Sequence, residues 1–136
     1  MRGILIFGLI VVGAIHATYA GGQESSLKSF SLRSGESVDL GPTYWIRLSD
    51  CVSMLAAFAG VDVLEGSPEV TLSIREQEVH PRQQNCQDNR VPGGVVVATA
   101  KDVQARSSSV LKYRVRYNTR EGLTQSSHSV QLNLYP

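Results

Sequence analysis

The sequence predicts an all-β fold, a single antiparallel sandwich of seven or eight strands. Strand-like segments recur at intervals of about ten residues, which is the spacing typical of sandwich folds. The longest strict alternation of apolar and polar residues covers residues 111–117, and a period of two gives a strand one buried and one solvated face. Glycine, proline and polar turn residues separate the segments, which favours short strands over helices.

The first twenty residues have the composition of a cleaved signal peptide. Arg2 precedes an apolar run over residues 4–15, and the small residues Thr18 and Ala20 stand two positions apart, as signal peptidase prefers. The apolar run of about twelve residues is shorter than the roughly twenty needed to span a bilayer. We therefore expect cleavage after Ala20, no transmembrane segment in the mature chain, and a periplasmic or secreted protein.

The rest of the chain is suited to one domain of common size. Residues 21–29 are small and polar, which predicts a flexible N-terminus, and residues 30–136 are expected to form the β-sandwich. Without Arg2, twelve of the 13 basic side chains remain against 12 acidic ones. A neutral protein of this kind is not expected to attract nucleic acid through its overall charge.

Cys51 and Cys86 are the only cysteines. An even count in an exported chain predicts a disulfide bond between them. A redox or metal pair is the alternative, but there is no Cys-x-x-Cys motif and no histidine at ligand spacing. A structural bridge is therefore the preferred interpretation.

Two short strands, over residues 30–32 and 38–40, are predicted on either side of a turn at Gly35. The segment reads FSLRSGESVDL. It resembles the opening strand of immunoglobulin-like modules in exported bacterial proteins, which breaks at a Gly-Glu-Ser step and continues on the opposite sheet. The resemblance implies an immunoglobulin-like sandwich. In antibody domains the core tryptophan lies between the two cysteines, whereas Trp45 precedes both, so the chain departs from that class.

The middle of the chain predicts three further strands and one helical turn. Residues 44–48 have the aromatic and β-branched content of a strand, with Trp45 in the core. A capping pair and several alanines predict a short helical turn over residues 51–58. Residues 61–64 form a short apolar strand, and residues 70–75 alternate clearly between apolar and polar.

The last part of the chain predicts an exposed segment, a buried strand and a hairpin. Residues 76–89 are polar, whereas residues 95–98 are continuously apolar, as in a strand covered on both faces. Residues 111–117 and 130–134 alternate on either side of a turn, which predicts an antiparallel hairpin. The residues that we expect to be buried are Trp45, Leu111, Tyr113, Val115, Leu132 and Leu134.

The most distinctive surface feature is a basic row formed by Lys112, Arg114 and Arg116. Alternate residues of a strand lie about 6 to 7 Å apart on one face, so the row is a candidate polyanion-binding site for an acidic polysaccharide or anionic lipid. The alternative is a solvated face that protects the sheet from aggregation. Tyr113 and Tyr117 point to the opposite face, so no aromatic residues interleave with the row and nucleic acid is not the expected partner.

The sequence predicts no catalytic residues, no metal site and no cofactor. His80 and His128 are the only histidines after the signal peptide, too few for a zinc or copper site without other converging ligands. His128 has the parity of Val130 and is expected to be half-buried. There is no Gly-x-Ser-x-Gly motif, and no thiol is free if the disulfide forms.

The end of the chain is similar to chaperone–usher pilin subunits, with an alternating last strand, Gly122, the penultimate Tyr135 and one disulfide. In that family, partners are joined by donated strands. Tyr135 is out of phase with the apolar residues of its strand, however, and residues 21–29 lack the alternating pattern of a donor strand. A surface-fibre subunit is therefore an alternative and not the main hypothesis.

We expect a non-catalytic binding or interaction module of the bacterial envelope. Its partner would be an envelope protein or an acidic polysaccharide, and the module would be a monomer. A second alternative is a small inhibitor or accessory protein of an envelope enzyme.

Overall fold

The computed structural model describes residues 27–136. The predicted signal peptide and residues 21–26 of the predicted flexible N-terminus lie outside the described residues. Ser29, the last residue of that predicted segment, already belongs to the first strand. Within residues 27–136, no helix is long and apolar enough to cross a membrane.

The described chain is mostly β-strand and contains no α-helix, which confirms the all-β prediction, but it has nine strands where seven or eight were expected. The nine strands are β1 (Ser29–Arg33), β2 (Ser37–Thr43), β3 (Ile46–Arg47), β4 (Val52–Ser53), β5 (Leu55–Glu65), β6 (Val70–Val79), β7 (Val91–Ala100), β8 (Ser107–Thr119) and β9 (Gly122–Tyr135). One 3₁₀ turn, Gln84–Cys86, lies between β6 and β7.

The strands form two main sheets and one small hairpin. The four-stranded sheet has the order β1-β9-β8-β5, the three-stranded sheet has the order β2-β7-β6, and β3 pairs with β4 alone. The chain therefore passes from one main sheet to the other between Arg33 and Ser37. All pairings are antiparallel except that of β1 with β9, which is parallel, so the expectation of purely antiparallel sheets is wrong at this one pair.

One hydrophobic core is shared by the two main sheets. The alternation in β8 has the predicted phase, since Leu111, Tyr113, Val115 and Tyr117 are all buried. Leu132 and Leu134 of β9 are buried on the same side. The facing sheet contributes buried residues of β2, β6 and β7, namely Leu40, Val70, Val96, Ala98 and Ala100.

Two local predictions are wrong. Residues 51–58 do not form a helical turn, because β4 and the first part of β5 occupy them. Pairing with β8 overrides the helical preference of the alanines, and β5 follows β8 through three register shifts. Residues 44–48 form a strand only at Ile46–Arg47. β6 extends through Val79, and its residues 76–78 are exposed, as expected for the polar segment 76–89.

The predicted disulfide between Cys51 and Cys86 is confirmed. Its Cα atoms lie 5.5 Å apart, and both cysteines are buried. The bond joins the residue just before β4 to the 3₁₀ turn after β6. It therefore ties together two connections that contain little regular structure.

Candidate functional site

The basic row lies on the outer face of the four-stranded sheet, next to carboxylates of β5. Cross-strand pairing places Asp62 opposite Arg114 and Glu65 opposite Lys112. Asp62 accepts hydrogen bonds from the Nε atoms of both Arg114, at 2.9 Å, and Arg116, at 2.7 Å. Lys112 Nζ lies 3.6 Å from Glu65. Three cations therefore face two carboxylates.

Asp62 is the centre of this cluster. Hydrogen bonds from Arg116 and then Arg114 hold the pKa of the Asp62 carboxyl below its usual range. Gly60, with a φ of +143°, lies directly beneath the Arg116 guanidinium. A side chain at position 60 would collide with that guanidinium, so glycine allows Arg116 to lie across β5 and reach Asp62.

Polyanion binding by the basic row stays a prediction that salt dependence can test. If the row binds, affinity for an acidic polysaccharide should fall steeply with added salt, since exposed charges are screened beyond about 8 Å at physiological ionic strength. Changing Lys112, Arg114 and Arg116 together to Gln should abolish that binding.

A matched pair of measurements separates the polyanion site from a solvated face. Removing the competing carboxylate with Asp62→Asn should strengthen the binding, because it leaves the two arginines unneutralised. Polysaccharide binding that is equal in the wild type and the triple variant, or absent from the wild type at low salt, would leave the row as a solvated face.

A second candidate site is a groove of about 440 Å³ between the edges of the two main sheets. It opens between β2 on one side and β9 on the other, and we call it the inter-sheet groove. Its lining includes Lys28, Leu40, Gly41, Pro42, Thr43, Tyr44, Trp45, Arg82, Gln83, Val96, Tyr113, Tyr117, Ser126, His128, Ser129 and Val130. No member of this set is acidic.

Aromatic side chains form one wall of the inter-sheet groove. Trp45 was expected to be buried, but it is only half-buried. Its ring packs against Tyr117, with 5.2 Å between the ring centroids. Tyr113 stacks on the ring of His128 at the same centroid distance, 5.2 Å. Such a wall offers flat apolar surface next to polar tips, as many ligand sites do.

A chain of hydrogen bonds crosses the groove from one sheet to the other. The Thr43 and Tyr117 hydroxyl oxygens lie 2.7 Å apart, and Tyr117 Oη lies 2.7 Å from Ser126 Oγ. Ser126 Oγ in turn lies 2.9 Å from His128 Nε2. The chain satisfies the buried hydroxyl of Thr43 and fixes the positions of the polar groups that face the groove.

His128 was expected to be half-buried, but it is exposed, with its ring stacked on that of Tyr113. Burial against the groove wall, and then the charge of Arg82, lower the pKa of His128 below its usual range. Burial, reinforced by Tyr117, raises the pKa of the Tyr113 phenol. At neutral pH both groups are therefore uncharged.

The positive charge of the inter-sheet groove comes from Arg82 and Lys28. Arg82 is held in place because its backbone N–H donates to the Tyr44 hydroxyl at 2.8 Å. Its guanidinium lies over Gly41, whose φ is +149°, and a Cβ there would stand 3.1 Å from Arg82 Nη2. Within residues 27–136 neither cation forms an ion pair, so both can receive an anionic group.

Ser126 and His128 meet the distance criterion for a serine activated by a histidine. Such a pair also needs a group that orients the second ring nitrogen and a donor for the developing oxyanion. No carboxylate lines the groove among the described residues.

The sequence patterns did not reveal the inter-sheet groove. Its residues come from the β2–β3 segment, the β6–β7 loop and the last two strands, and the Thr43–Tyr117 contact alone spans 74 positions.

In the part of the chain that the structure describes, no group of three or more potential metal ligands converges. Comparisons with protein-family models, curated proteins and solved structures found no match.

Proposed function

We propose that this chain is an exported, non-catalytic binding module with an immunoglobulin-like β-sandwich, and that the inter-sheet groove holds its ligand. The ligand combines an apolar or aromatic group with a carboxylate. The proposal depends on the composition of the groove, whose described lining combines an aromatic wall with two cations and contains no acidic residue. Ligand sites typically combine an apolar wall with a few fixed polar groups in this way.

The immunoglobulin-like assignment is supported by the connections between strands. β1 and β2 lie in different main sheets on either side of the Gly-Glu-Ser step. The last two strands form a hairpin in the sheet of β5, whereas β6 and β7 form a hairpin in the sheet of β2. Strands that alternate between two sheets in this manner are a property of that sandwich class.

The proposed location is the periplasm or the extracellular space. The disulfide between Cys51 and Cys86 supports it, because such bonds persist in oxidising compartments. The composition of residues 1–20 adds the features of a signal peptide. An envelope protein or an acidic polysaccharide in that compartment would supply the carboxylate.

Trp45 provides a direct measurement of groove occupancy, since it is the only tryptophan in the chain. We expect its emission to change and saturate when the mature protein is titrated with a carboxylated probe, either a galacturonate oligosaccharide or an acidic peptide with a free C-terminus. The neutral methyl ester or amide of the same probe should bind at least about tenfold more weakly, because a charge-assisted hydrogen bond is among the stronger polar interactions.

Arg82→Gln is the decisive variant, and Arg33→Gln is its matched control. Both remove one positive charge, but Arg33 lies at the far end of β1, about 16 Å from Lys28 by the rise of a strand. Arg82→Gln should weaken binding at least about tenfold, and Arg33→Gln should not. Equal behaviour of the two variants, or no change in Trp45 emission with any probe, would contradict the proposal.

The two alternatives make different predictions about association. A subunit of a surface fibre would polymerise or be unstable alone, whereas a binding module would be a stable monomer. An inhibitor or accessory protein would bind an envelope enzyme and change its rate. The groove favours the binding module over both, since neither alternative requires an aromatic wall next to two cations that form no ion pair among the described residues.

A further inference from the structure

Arg82, a cation of the inter-sheet groove, lies in a loop with little regular structure. Residues 80–90 connect β6 to β7 beyond their paired ends, Val79 and Val91, and contain one regular element, the 3₁₀ turn Gln84–Cys86. Among the described residues, the backbone–backbone hydrogen bonds of this loop join only its own members. Such a loop samples many conformations unless other contacts restrict it. The position of Arg82 therefore depends on contacts with other parts of the chain.

The first of these contacts is the hydroxyl of Tyr44, the residue that follows β2. It accepts a hydrogen bond from the backbone N–H of Arg82 at 2.8 Å and donates one to Gln83 Oε1 at 2.8 Å. The Tyr44 ring packs against a cluster of buried valines from β6 and β7. A phenylalanine at position 44 would therefore keep this packing and lose both hydrogen bonds.

The second contact is the disulfide between Cys51 and Cys86. Cys86 ends the 3₁₀ turn of the loop and is fully buried. Cys51 lies in the connection between β3 and β4, a hairpin that begins next to Trp45 of the groove wall. The Met54 N–H donates to the Trp45 carbonyl oxygen at 2.8 Å, which closes the base of this hairpin. The disulfide therefore joins the loop that carries Arg82 to the hairpin next to Trp45.

The β3–β4 hairpin is a firm anchor, because several bonds hold its tip. Arg47 and Asp50 form a two-point ion pair, with Nε to Oδ1 at 3.0 Å and Nη2 to Oδ2 at 2.7 Å. The Cys51 N–H donates to the Arg47 carbonyl oxygen at 2.8 Å, and the Val52 N–H donates to Asp50 Oδ1 at 3.2 Å. Cys51 has a φ of +63°, a conformation that a residue with a side chain keeps only where its surroundings hold it.

The charge of Arg82 acts on the opposite side of the groove. Its guanidinium lies beside Gly41 of β2, whereas His128 belongs to β9. Burial, and then the charge of Arg82, lower the pKa of His128. The His128 ring therefore reports the position of the guanidinium, since displacement of this cation would let the pKa rise.

We propose that Tyr44 and the Cys51–Cys86 disulfide are positioning residues for Arg82, and that together they set the preference of the inter-sheet groove for a carboxylate over its neutral ester. The inference rests on the proposed function, because it names the residues that determine the specificity of the same groove. Tyr44 fixes the loop at Arg82 itself, and the disulfide fixes the end of the 3₁₀ turn that follows. A guanidinium held in place loses less conformational freedom when it binds a carboxylate than a mobile one does.

The alternative is that both contacts only stabilise the fold. Pro81 is fully buried, and in this case its packing alone would fix the loop next to Arg82. Changes at Tyr44 or at the disulfide would then lower stability and leave the ligand preference unchanged. The ratio of carboxylate affinity to ester affinity separates the two roles, because a loss of stability affects both probes alike.

Tyr44→Phe tests the first contact, with the galacturonate oligosaccharide and its methyl ester as probes. The affinity for the carboxylate should fall about fivefold, as expected for one lost hydrogen bond, while the affinity for the ester should change less than about twofold. Tyr135→Phe is the matched control, since Tyr135 lies at the end of β9 and is not part of the groove lining. It should leave both affinities unchanged. Trp45 emission measures the dissociation constants.

Replacing Cys51 and Cys86 together with Ala tests the second contact. The affinity for the carboxylate should fall about tenfold or more, toward that of Arg82→Gln, and the affinity for the ester should not. Leu132→Ala is the control, because it also lowers stability but lies outside the groove lining. Both variants are compared where far-UV circular dichroism shows them to be folded. An unchanged ratio in the double variant, or an equal fall in Leu132→Ala, would assign the disulfide to stability alone.

Titration of His128 by nuclear magnetic resonance tests the positioning without any ligand. The ring resonance is identified by its loss in His128→Gln. Arg82→Gln should raise the pKa of His128, because the guanidinium no longer repels the charged imidazole. Tyr44→Phe and the double alanine variant should raise this pKa part of the way, and Tyr135→Phe should leave it unchanged.

The outcomes for the positioning and for the groove can be told apart. If the wild type prefers the carboxylate and the positioning variants keep both that preference and the pKa of His128, the groove is a ligand site and the positioning is wrong. If no probe binds, the proposed specificity fails together with the proposed function, while a raised pKa in the positioning variants still supports their hold on Arg82. An unchanged pKa of His128 in Arg82→Gln would overturn both, since the guanidinium would then lie away from the groove.

Discussion

Leu132→Ala should lower the free energy of unfolding by about 2 to 5 kcal/mol. Leu132 is 2% exposed and lies between Phe30 of β1 and Ser109 of β8 in the sheet register. Truncation removes buried apolar atoms and leaves a cavity that strands fixed on both sides can close only partly. The loss is a large share of the 5 to 15 kcal/mol that typically stabilises a domain.

Urea unfolding followed by Trp45 emission measures this loss as a lower midpoint at an unchanged slope. Ser129→Ala is the control, because Ser129 lies on the opposite face of β9 and is exposed. It should change stability by less than about 0.5 kcal/mol. A near-neutral Leu132→Ala together with a costly Ser129→Ala would mean that the two faces of β9 are reversed.

Replacing Cys51 and Cys86 together with Ala should lower stability by roughly 3 to 4 kcal/mol without changing the fold. The bond closes a loop across a sequence separation of 35 residues, and on the chain-entropy model its removal enlarges the unfolded ensemble. The strands on either side of that loop are held by their own ladders, so the sheets should survive. Urea midpoints and far-UV circular dichroism measure the two effects separately.

Mass spectrometry after alkylation provides the control for the disulfide. The non-reduced mature protein should contain no free thiol, and reduction should add two alkyl groups. The reduced wild type should then unfold at nearly the same urea concentration as the double variant. Labelling of both cysteines before reduction, or a double variant as stable as the wild type, would contradict the expected role of the bond.

The sequence was most informative where apolar and polar residues alternate strictly. In β8 and the end of β9 the alternation alone determines which residues are buried, since a strand in a two-sheet core has one dry face. Residues 51–58 lack such a pattern, and their alanines and leucine favour helix in isolation. Only the pairing of β5 with β8, which is separated from it by more than forty positions, makes this segment a strand.

The sequence predicts one of the two candidate sites and not the other. The cations of the basic row are neighbours on one strand, so their common face follows from parity alone. The pairing of Asp62 with these arginines does not follow from parity, because it depends on a contact across 52 positions. No local pattern predicts the inter-sheet groove, because Trp45, Arg82 and Ser126 come together only when two sheets and a loop pack against each other.

The parallel pair of β1 with β9 has a consequence for the order of folding. Ser29 pairs with Gln131 and Arg33 with Tyr135. β1 therefore cannot form its ladder until β9 has been synthesised. During synthesis from the N-terminus, the four-stranded sheet stays incomplete until β9 has left the ribosome. Folding dominated by such distant contacts is slow, on the order of milliseconds to seconds. The four-stranded sheet is therefore completed late in folding, because its first strand pairs with β9.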